Sequence, residues 1–258
     1  MKKLIFSILL LASTLLQASD IYVKPGESIA DAIRQARELR RLNDPSIEGG
    51  ITIHVAAGNY RIYEPLFLRP EDSGTPSSPT IIKGEGEVIV SGGVTVTGWK
   101  RQGKLMVADV PDFCGRPLDF RQFYVNGKKA VRARDIADFE DMYRIIRVDK
   151  QKRVLWVPAA AVRKIQKAPY AEMVLHEMWC VANLRIKDIM FAGDSAAVSF
   201  HDPESRIQFE HPWPCPMVTT DGHNSAFYLT NARELLDVPG EWYHDIRAGK
   251  LYYYPRQG

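Results

Sequence analysis

The run His211-Pro212-Trp213-Pro214-Cys215-Pro216, followed by Asp221-Gly222-His223-Asn224, gathers residue types suited to holding a polyhydroxylated ligand. Its three prolines fix their own φ angles and stiffen the segment, so Trp213 and the histidines are held in place. An indole face stacks on a sugar ring, while His211, Asp221 and His223 offer donors and acceptors to hydroxyl groups. These four residues are the candidate carbohydrate contacts. The plainer alternative is a rigid loop whose Trp213 fills an interface between two regions of the chain.

A second run, His176-Glu177-Met178-Trp179-Cys180, opens like the zinc motif His-Glu-x-x-His, but Cys180 stands where the second histidine belongs. Its flanks read as strand, whereas the motif needs a helix to place both ligands on one face. A looser set, His176, Cys180, His201, His211, Cys215 and His223, matches no standard zinc spacing. No metal and no cofactor is expected. Gly84-Glu85-Gly86 has the glycine spacing of a phosphate loop but leads from strand into strand, so no helix N-terminus is available to hold a phosphate. Trp179 and Trp242 fall in expected strands and read as core.

The elements that must position these residues are mostly strands. Ser28 is a good N-cap with Asp31 three residues on, and Ile29, Ala32, Ile33, Ala36 and Leu39 recur at helical spacing opposite Arg34, Arg37, Arg40 and Arg41. The spacing predicts one amphipathic helix, of a kind that covers an open sheet edge. From Ile51, short apolar segments at 51–55, 66–68, 80–82, 88–90 and 94–96 are broken by turns and by the Pro- and Ser-rich stretch 70–79. Strands this short, without helices between them, suit the coils of a parallel β-solenoid and not a doubly wound sheet. From Trp99 onward hairpins dominate. Asn126-Gly127 joins 120–125 to 128–133, residues 149–152 join 143–148 to 153–157, and residues 245–249 join 241–244 to 250–254. Further strands are expected at 171–175, 181–189 and 196–200, with a short helix at 159–166.

Composition bounds the rest. The chain has 258 residues, 45% hydrophobic and 25% charged, which excludes disorder and leaves room for one large or two modest domains. With 34 basic against 31 acidic side chains, it carries no electrostatic footprint for nucleic acid or an anionic membrane. Residues 1–19 read as a secretory signal peptide: Lys2 and Lys3, an apolar run at 4–16, then the small residues Ala18 and Ser19. The run is shorter than the roughly 20 residues that span a bilayer, so export to the periplasm or beyond is expected, without membrane insertion. Cys114, Cys180 and Cys215 are an odd number and form no disulfide framework.

Several phrases resemble one kind of exported enzyme. Val55-Ala56-Ala57-Gly58-Asn59-Tyr60, Ile81-Ile82-Lys83-Gly84 and Val90-Ser91-Gly92-Gly93 resemble the first coils of right-handed parallel β-helix glycan-active enzymes. Phe123-Tyr124-Val125-Asn126-Gly127-Lys128, Asn224-Ser225-Ala226-Phe227-Tyr228-Leu229, Pro239-Gly240-Glu241-Trp242-Tyr243 and Gly249-Lys250-Leu251-Tyr252-Tyr253 look like the β-domain inserted after those coils. The combination is similar to glycoside hydrolase family 141, which contains α-fucosidase and xylanase activities. The resemblance implies a mainly β fold: a capping helix and first coils of a right-handed parallel β-helix over 20–98, then a mainly antiparallel β-domain over 99–258.

In such enzymes further coils follow the inserted domain and carry the catalytic carboxylates, whereas this chain stops at Gly258. A glycosidase uses two carboxyl groups roughly 5 to 9.5 Å apart. Asp188, Asp194, Asp202, Glu204 and Asp221 lie in or near expected turns, and none matches a family catalytic position, so the catalytic residues stay unassigned. The expectation is the N-terminal portion of a secreted glycoside hydrolase acting on complex plant or host polysaccharide, inactive without later coils. Its expected partners are a polysaccharide or oligosaccharide and the missing C-terminal part of the β-helix. A non-catalytic carbohydrate-binding or structural module, and a β-helix polysaccharide lyase, are the alternatives.

Overall fold

The computed structural model describes residues 18–113 and 115–256. The signal-peptide reading falls almost wholly on residues 1–17, which, like Cys114, lie outside the described residues. The chain divides into two compact units after Val94.

The first unit carries β1 (Ser19–Val23), α1 (Ile29–Arg41), β2 (Ile51–Arg61) and β3 (Thr80–Ser91). The three strands pair in parallel and in chain order, stacking Ile21 on Ile53 on Ile82 and Val23 on Val55. Aligned β-branched side chains pack well on a pleated surface, and Ile51, Ile53 and Val55 are fully buried there. α1 starts where Ser28 Oγ accepts the Asp31 N–H at 3.2 Å, and it lays Ile29, Ala32, Ile33 and Ala36 on the same core. Among the described residues the parallel strands make this one three-stranded sheet and no solenoid. β3 is its edge, and Ile81, Ile82, Ile89 and Val90 are 44–48% exposed along it.

The short strands expected here are longer than their turn residues suggest. β2 runs through Ala57-Gly58, and β3 runs through Gly84-Glu85-Gly86. The register shifts between Ala56 and Gly58, with Gly58 at φ 148° and Gly86 at φ 93°. Glycine reaches these angles without a Cβ clash, so a bulge takes the place of a chain reversal. Residues 66–68 and 94–96 form no strand.

On the outward face of this sheet, His54 lies between one carboxylate from each neighbouring strand. Its Nε2 is 2.9 Å from Asp20 Oδ1, its Nδ1 is 2.8 Å from Glu85 Oε1, and its ring stacks on Tyr22 at 5.0 Å. A neutral imidazole has a single N–H and cannot donate to both carboxylates, whereas the imidazolium can. The hydrogen bonds to Glu85 and then to Asp20 raise the His54 pKa above its usual 6.5. A raised folded-state pKa contributes stability that is complete below the unfolded value and is lost as pH rises through the folded one. Urea unfolding should therefore find the first unit less stable at about pH 9 than at about pH 6. His54→Phe should flatten that difference, and an unchanged step in the variant would contradict the assignment.

The second unit carries β4 (Lys100–Gln102), β5 (Leu105–Asp109), β6 (Asp112–Phe113), β7 (Arg116–Pro117), β8 (Tyr124–Val125), β9 (Lys128–Lys129) and β10 (Val131–Arg132). It continues with β11 (Tyr143–Arg144), β12 (Arg147–Asp149), β13 (Val154–Pro158), α2 (Ala159–Val162), β14 (Glu172–His176), β15 (Val181–Ala192) and β16 (Ser195–Phe200). α3 (Glu204–Glu210), β17 (Ala226–Thr230), β18 (Glu241–Asp245) and β19 (Lys250–Tyr253) complete it. One sheet has the order β10-β18-β19-β5-β4 and another β11-β17-β14-β15-β16-β13-β12, nearly all antiparallel. Asn126 at φ 50° and Gly127 at φ 73° turn β8 into β9, the backbone that the Asn-Gly pair favours. The paired segments there are only two residues each, shorter than expected, and Tyr143–Arg144 leaves the expected hairpin to pair with β17. The short helix expected at 159–166 is one α turn, α2, continued by a 3-10 turn at Arg163–Ile165, and α3 is a helix that strand and turn signals did not reveal. Met173, Leu175, Leu184, Phe227 and Leu229 fill the core of the seven-stranded sheet, each at most 2% exposed.

Candidate functional site

Antiparallel pairing brings three segments to one end of the seven-stranded sheet. β14 ends at His176, which pairs with Val181 at the start of β15 and with Ala226 at the start of β17. The hairpin tip 177–180 and the loop 217–225 therefore emerge together. α3 joins them, because Gln208 Nε2 donates to Glu177 Oε1.

The loop 217–225 is closed at its base by its own amides. Ser225 N–H reaches Met217 O at 2.9 Å, Met217 N–H reaches Ser225 Oγ at 3.0 Å, and Thr219 N–H reaches Asn224 Oδ1 at 2.8 Å. Asn224 Nδ2 then ties the loop to Ile145 O at 2.8 Å. Asp221 and His223 sit exposed at the tip, with His223 Nδ1 3.1 Å from Asp221 Oδ2. Hydrogen bonding, in which the His223 N–H reaches Asp221 Oδ1 at 3.3 Å, lowers the Asp221 carboxyl to about 2. Asp221 is thus a charged acceptor at neutral pH and unsuited to donating a proton.

His211 and Trp213 sit at the other end of the same connection between α3 and β17, immediately after α3. His211 N–H closes the helix onto Ile207 O at 3.2 Å, and Trp213 N–H reaches His211 Nδ1 at 3.3 Å. Trp213 is 44% exposed. Among the described residues, no hydrogen bond, ion pair or ring contact joins His211 or Trp213 to Asp221 or His223. The structure keeps the four candidates as two local pairs.

Trp179 overturns the expectation of a core residue. Glu177 N–H closes onto Cys180 O at 2.9 Å, so Trp179 stands in the turn of the hairpin and is 74% exposed. Being in a turn, it escapes the alternation that would have directed it inward. The turn is braced, because Glu177 accepts from Cys180 Sγ at 2.9 Å as well as from Gln208. Burial raises the Glu177 carboxyl, and burial followed by Glu177 pushes the Cys180 thiol up to about 11. A thiol held protonated is a poor metal ligand and a poor nucleophile. Iodoacetamide should modify Cys180 at least about a hundredfold more slowly than a free cysteine near pH 8, read peptide by peptide in a mass spectrometer. A rate matching the free amino acid would contradict the protonated thiol.

Behind the tip lies a row of rings and guanidinium groups. Arg144 covers Phe139 at 4.8 Å, Phe139 meets the His176 ring edge-on at 5.5 Å, His176 meets Tyr228 at 6.0 Å, and Arg134 covers Tyr228 at 5.9 Å. Burial and then Arg144 lower the His176 pKa, so its ring is neutral, and its Nε2 is buried without a hydrogen bond. Among the described residues, no group of three or more His, Cys, Asp or Glu side chains is arranged to hold a metal ion.

Two of the candidate carboxylates, Glu204 and Asp202, are engaged by neighbouring groups, and Asp194 bonds through its backbone carbonyl. Glu204 grips Arg185, whose guanidinium lowers its pKa, Asp202 Oδ1 accepts the Arg206 N–H at 3.1 Å, and Asp194 O accepts the Ala159 N–H at 2.8 Å. Besides Glu177, Asp135 and Glu241 are raised by burial, the condition a general acid needs. Both bind backbone amides: Asp135 Oδ1 takes the Leu229 N–H while its Oδ2 is buried without a hydrogen bond among the described residues, and Glu241 takes those of Arg134, Asp237 and Val238.

The family model described as "GH141 insertion domain" matches residues 103–256. A solved structure named "Glycoside hydrolase" is 61% identical, with a TM-score of 0.85, over 93% of this chain and 44% of that one. This chain therefore spans less than half the length of the enzyme it is similar to. No curated protein matches it. Since the family model takes in more than half of the residues, and the braced hairpin, the loop 217–225 and the whole seven-stranded sheet fall within it, the chain belongs to the GH141 insertion-domain family.

Proposed function

We propose that this chain is the N-terminal portion of an exported glycoside hydrolase acting on complex plant or host polysaccharide. In this reading α1 caps a right-handed parallel β-helix, β1 to β3 are its first coils, and residues 99–258 are the domain inserted after them. The observation that carries it is the 61% identity to a glycoside hydrolase across 93% of the chain. Two features support the division of labour. The β3 edge exposes apolar side chains that a further parallel strand would cover, and solenoid coils share their core with their neighbours. Glu177, Asp135 and Glu241, the carboxyls raised by burial, are each held by groups of this chain, and in this reading the catalytic carboxylates belong to the part of the enzyme that pairs with the β3 edge.

The test is reconstitution. The full chain alone, and the chain mixed with the part of the similar glycoside hydrolase that it does not span, are assayed for new reducing ends on arabinoxylan and fucosylated xyloglucan. Activity only in the mixture is expected. Hydrolysis by the chain alone would overturn the proposal. A second reading, a non-catalytic carbohydrate-binding module, is favoured by the exposed Trp179 and Trp213, and it predicts binding without hydrolysis in both samples.

A further inference from the structure

We infer that the hairpin tip at Trp179 and the outward row of β15, formed by Val181, Asn183 and Arg185, make a subsite for a neutral glycan chain. This inference rests on the glycan-active reading above and names a surface that the loop 211–223 does not include.

Along β15, Val181, Asn183 and Arg185 are exposed while Leu184 is buried, so the three share one face at a two-residue period. From Val181 to Arg185 the row extends about 13 Å, and Trp179 stands in the adjoining turn at its end, enough together for a few sugar rings. The row is also preorganised. β15 is hydrogen-bonded to β14, the tip is held through Glu177 by Cys180 and Gln208, and Arg185 is fixed by Glu204 and by Asp202 O at 2.9 Å. A rigid surface loses little conformational freedom when a ligand docks.

Tryptophan is rarely left this open, and the Trp179 ring has no ring partner among the described residues. Its indole N–H, the Asn183 amide and Arg185 Nη1 make no hydrogen bond within the described residues, so they are free for hydroxyl groups. One stacking ring with a few convergent polar groups is the usual make-up of a small-molecule or glycan site. Charge selects the class. At the Arg185 end the cations Arg121, Arg132 and Arg185 face the carboxylates Glu172, Glu204 and Asp119, a balanced set with no surplus for an acidic sugar.

The experiment uses the full chain in affinity gels and tryptophan-fluorescence titrations with neutral arabinoxylan and xyloglucan, and with polygalacturonate as the acidic comparison. Trp179→Ala and Asn183→Ala are expected to weaken neutral-glycan binding by about tenfold or more, while Tyr124→Ala, another exposed aromatic, leaves it unchanged. Circular dichroism and melting temperature should not move in any of the three. Binding lost in Trp213→Ala but kept in Trp179→Ala would overturn the subsite and leave the glycan reading intact. Tighter binding of polygalacturonate would overturn the neutral assignment. Failure of every neutral polysaccharide to bind would overturn the subsite, while the reconstitution assay judges the hydrolase reading separately.

Discussion

Glu172→Ala is expected to lower the unfolding free energy of the second unit by about 3–5 kcal/mol, a large share of the roughly 5–15 kcal/mol that holds a typical domain together. The Glu172 side chain is 6% exposed and receives Arg121 Nη1 at 2.7 Å, Arg121 Nη2 at 3.2 Å and Arg132 Nη1 at 3.0 Å. Arg132 is itself largely buried, lies over the Trp242 ring, and donates through Nε to Asn231 Oδ1 at 3.1 Å. Burial lowers the Arg132 pKa and Glu172 opposes that shift, so removing the carboxylate strands a desolvated cation. Arg121→Ala should cost only about 1 kcal/mol, because that side chain is 53% exposed and water replaces much of the pair. Urea titration of both variants checks the ranking. A Glu172→Ala loss no larger than that of Arg121→Ala would refute the buried-charge argument.

Trp242→Ala is expected to cost about 3–5 kcal/mol as well, by a different route. The ring is fully buried, stacks on Phe120 at 5.2 Å, meets Phe123 edge-on at 6.0 Å and carries Arg132 over its face. Truncation loses the transfer energy of the indole and leaves a void that Phe120 and Phe123 only partly fill. Trp179→Ala at the exposed hairpin tip should stay within about 0.5 kcal/mol of the parent. Melting curves of the two variants separate the roles of two tryptophans that look alike in the sequence, and equal destabilisation would contradict the burial assigned to each.

Much of the local structure could be read from the chain alone. Ser28 with Asp31 marked the start of α1, the isoleucine and alanine spacing marked its buried face, and Asn126-Gly127 marked a hairpin. The motifs at 55–60, 81–84 and 224–229 pointed to the glycoside hydrolase resemblance. In each case the signal is carried by residues close in sequence, where capping geometry, periodicity and turn angles act directly.

The longer-range features were hidden for a physical reason. Gly58 and Gly86 read as strand ends, and only the parallel neighbours show that they carry a bulge inside β2 and β3. The candidates His211, Trp213, Asp221 and His223 all lie on the one connection from α3 to β17, and only the structure shows that they contact each other as two separate pairs. Glu177 shows the reverse case: its partner Gln208 lies on α3, and the row of Arg144, Phe139, His176, Tyr228 and Arg134 comes from four separate segments.

By itself, then, the sequence determined the mainly β character, the one amphipathic helix, the hairpin turns and the family resemblance, because these follow from residue types interacting over a few positions. The tertiary structure decided which tryptophan is core and which is surface, that Glu172 is buried between two arginines, and that Asp135 and Glu241 bind backbone amides. Those outcomes depend on which strands pair and which side chains are thereby taken out of water, and desolvation is a property of the packed molecule, not of any short stretch of chain.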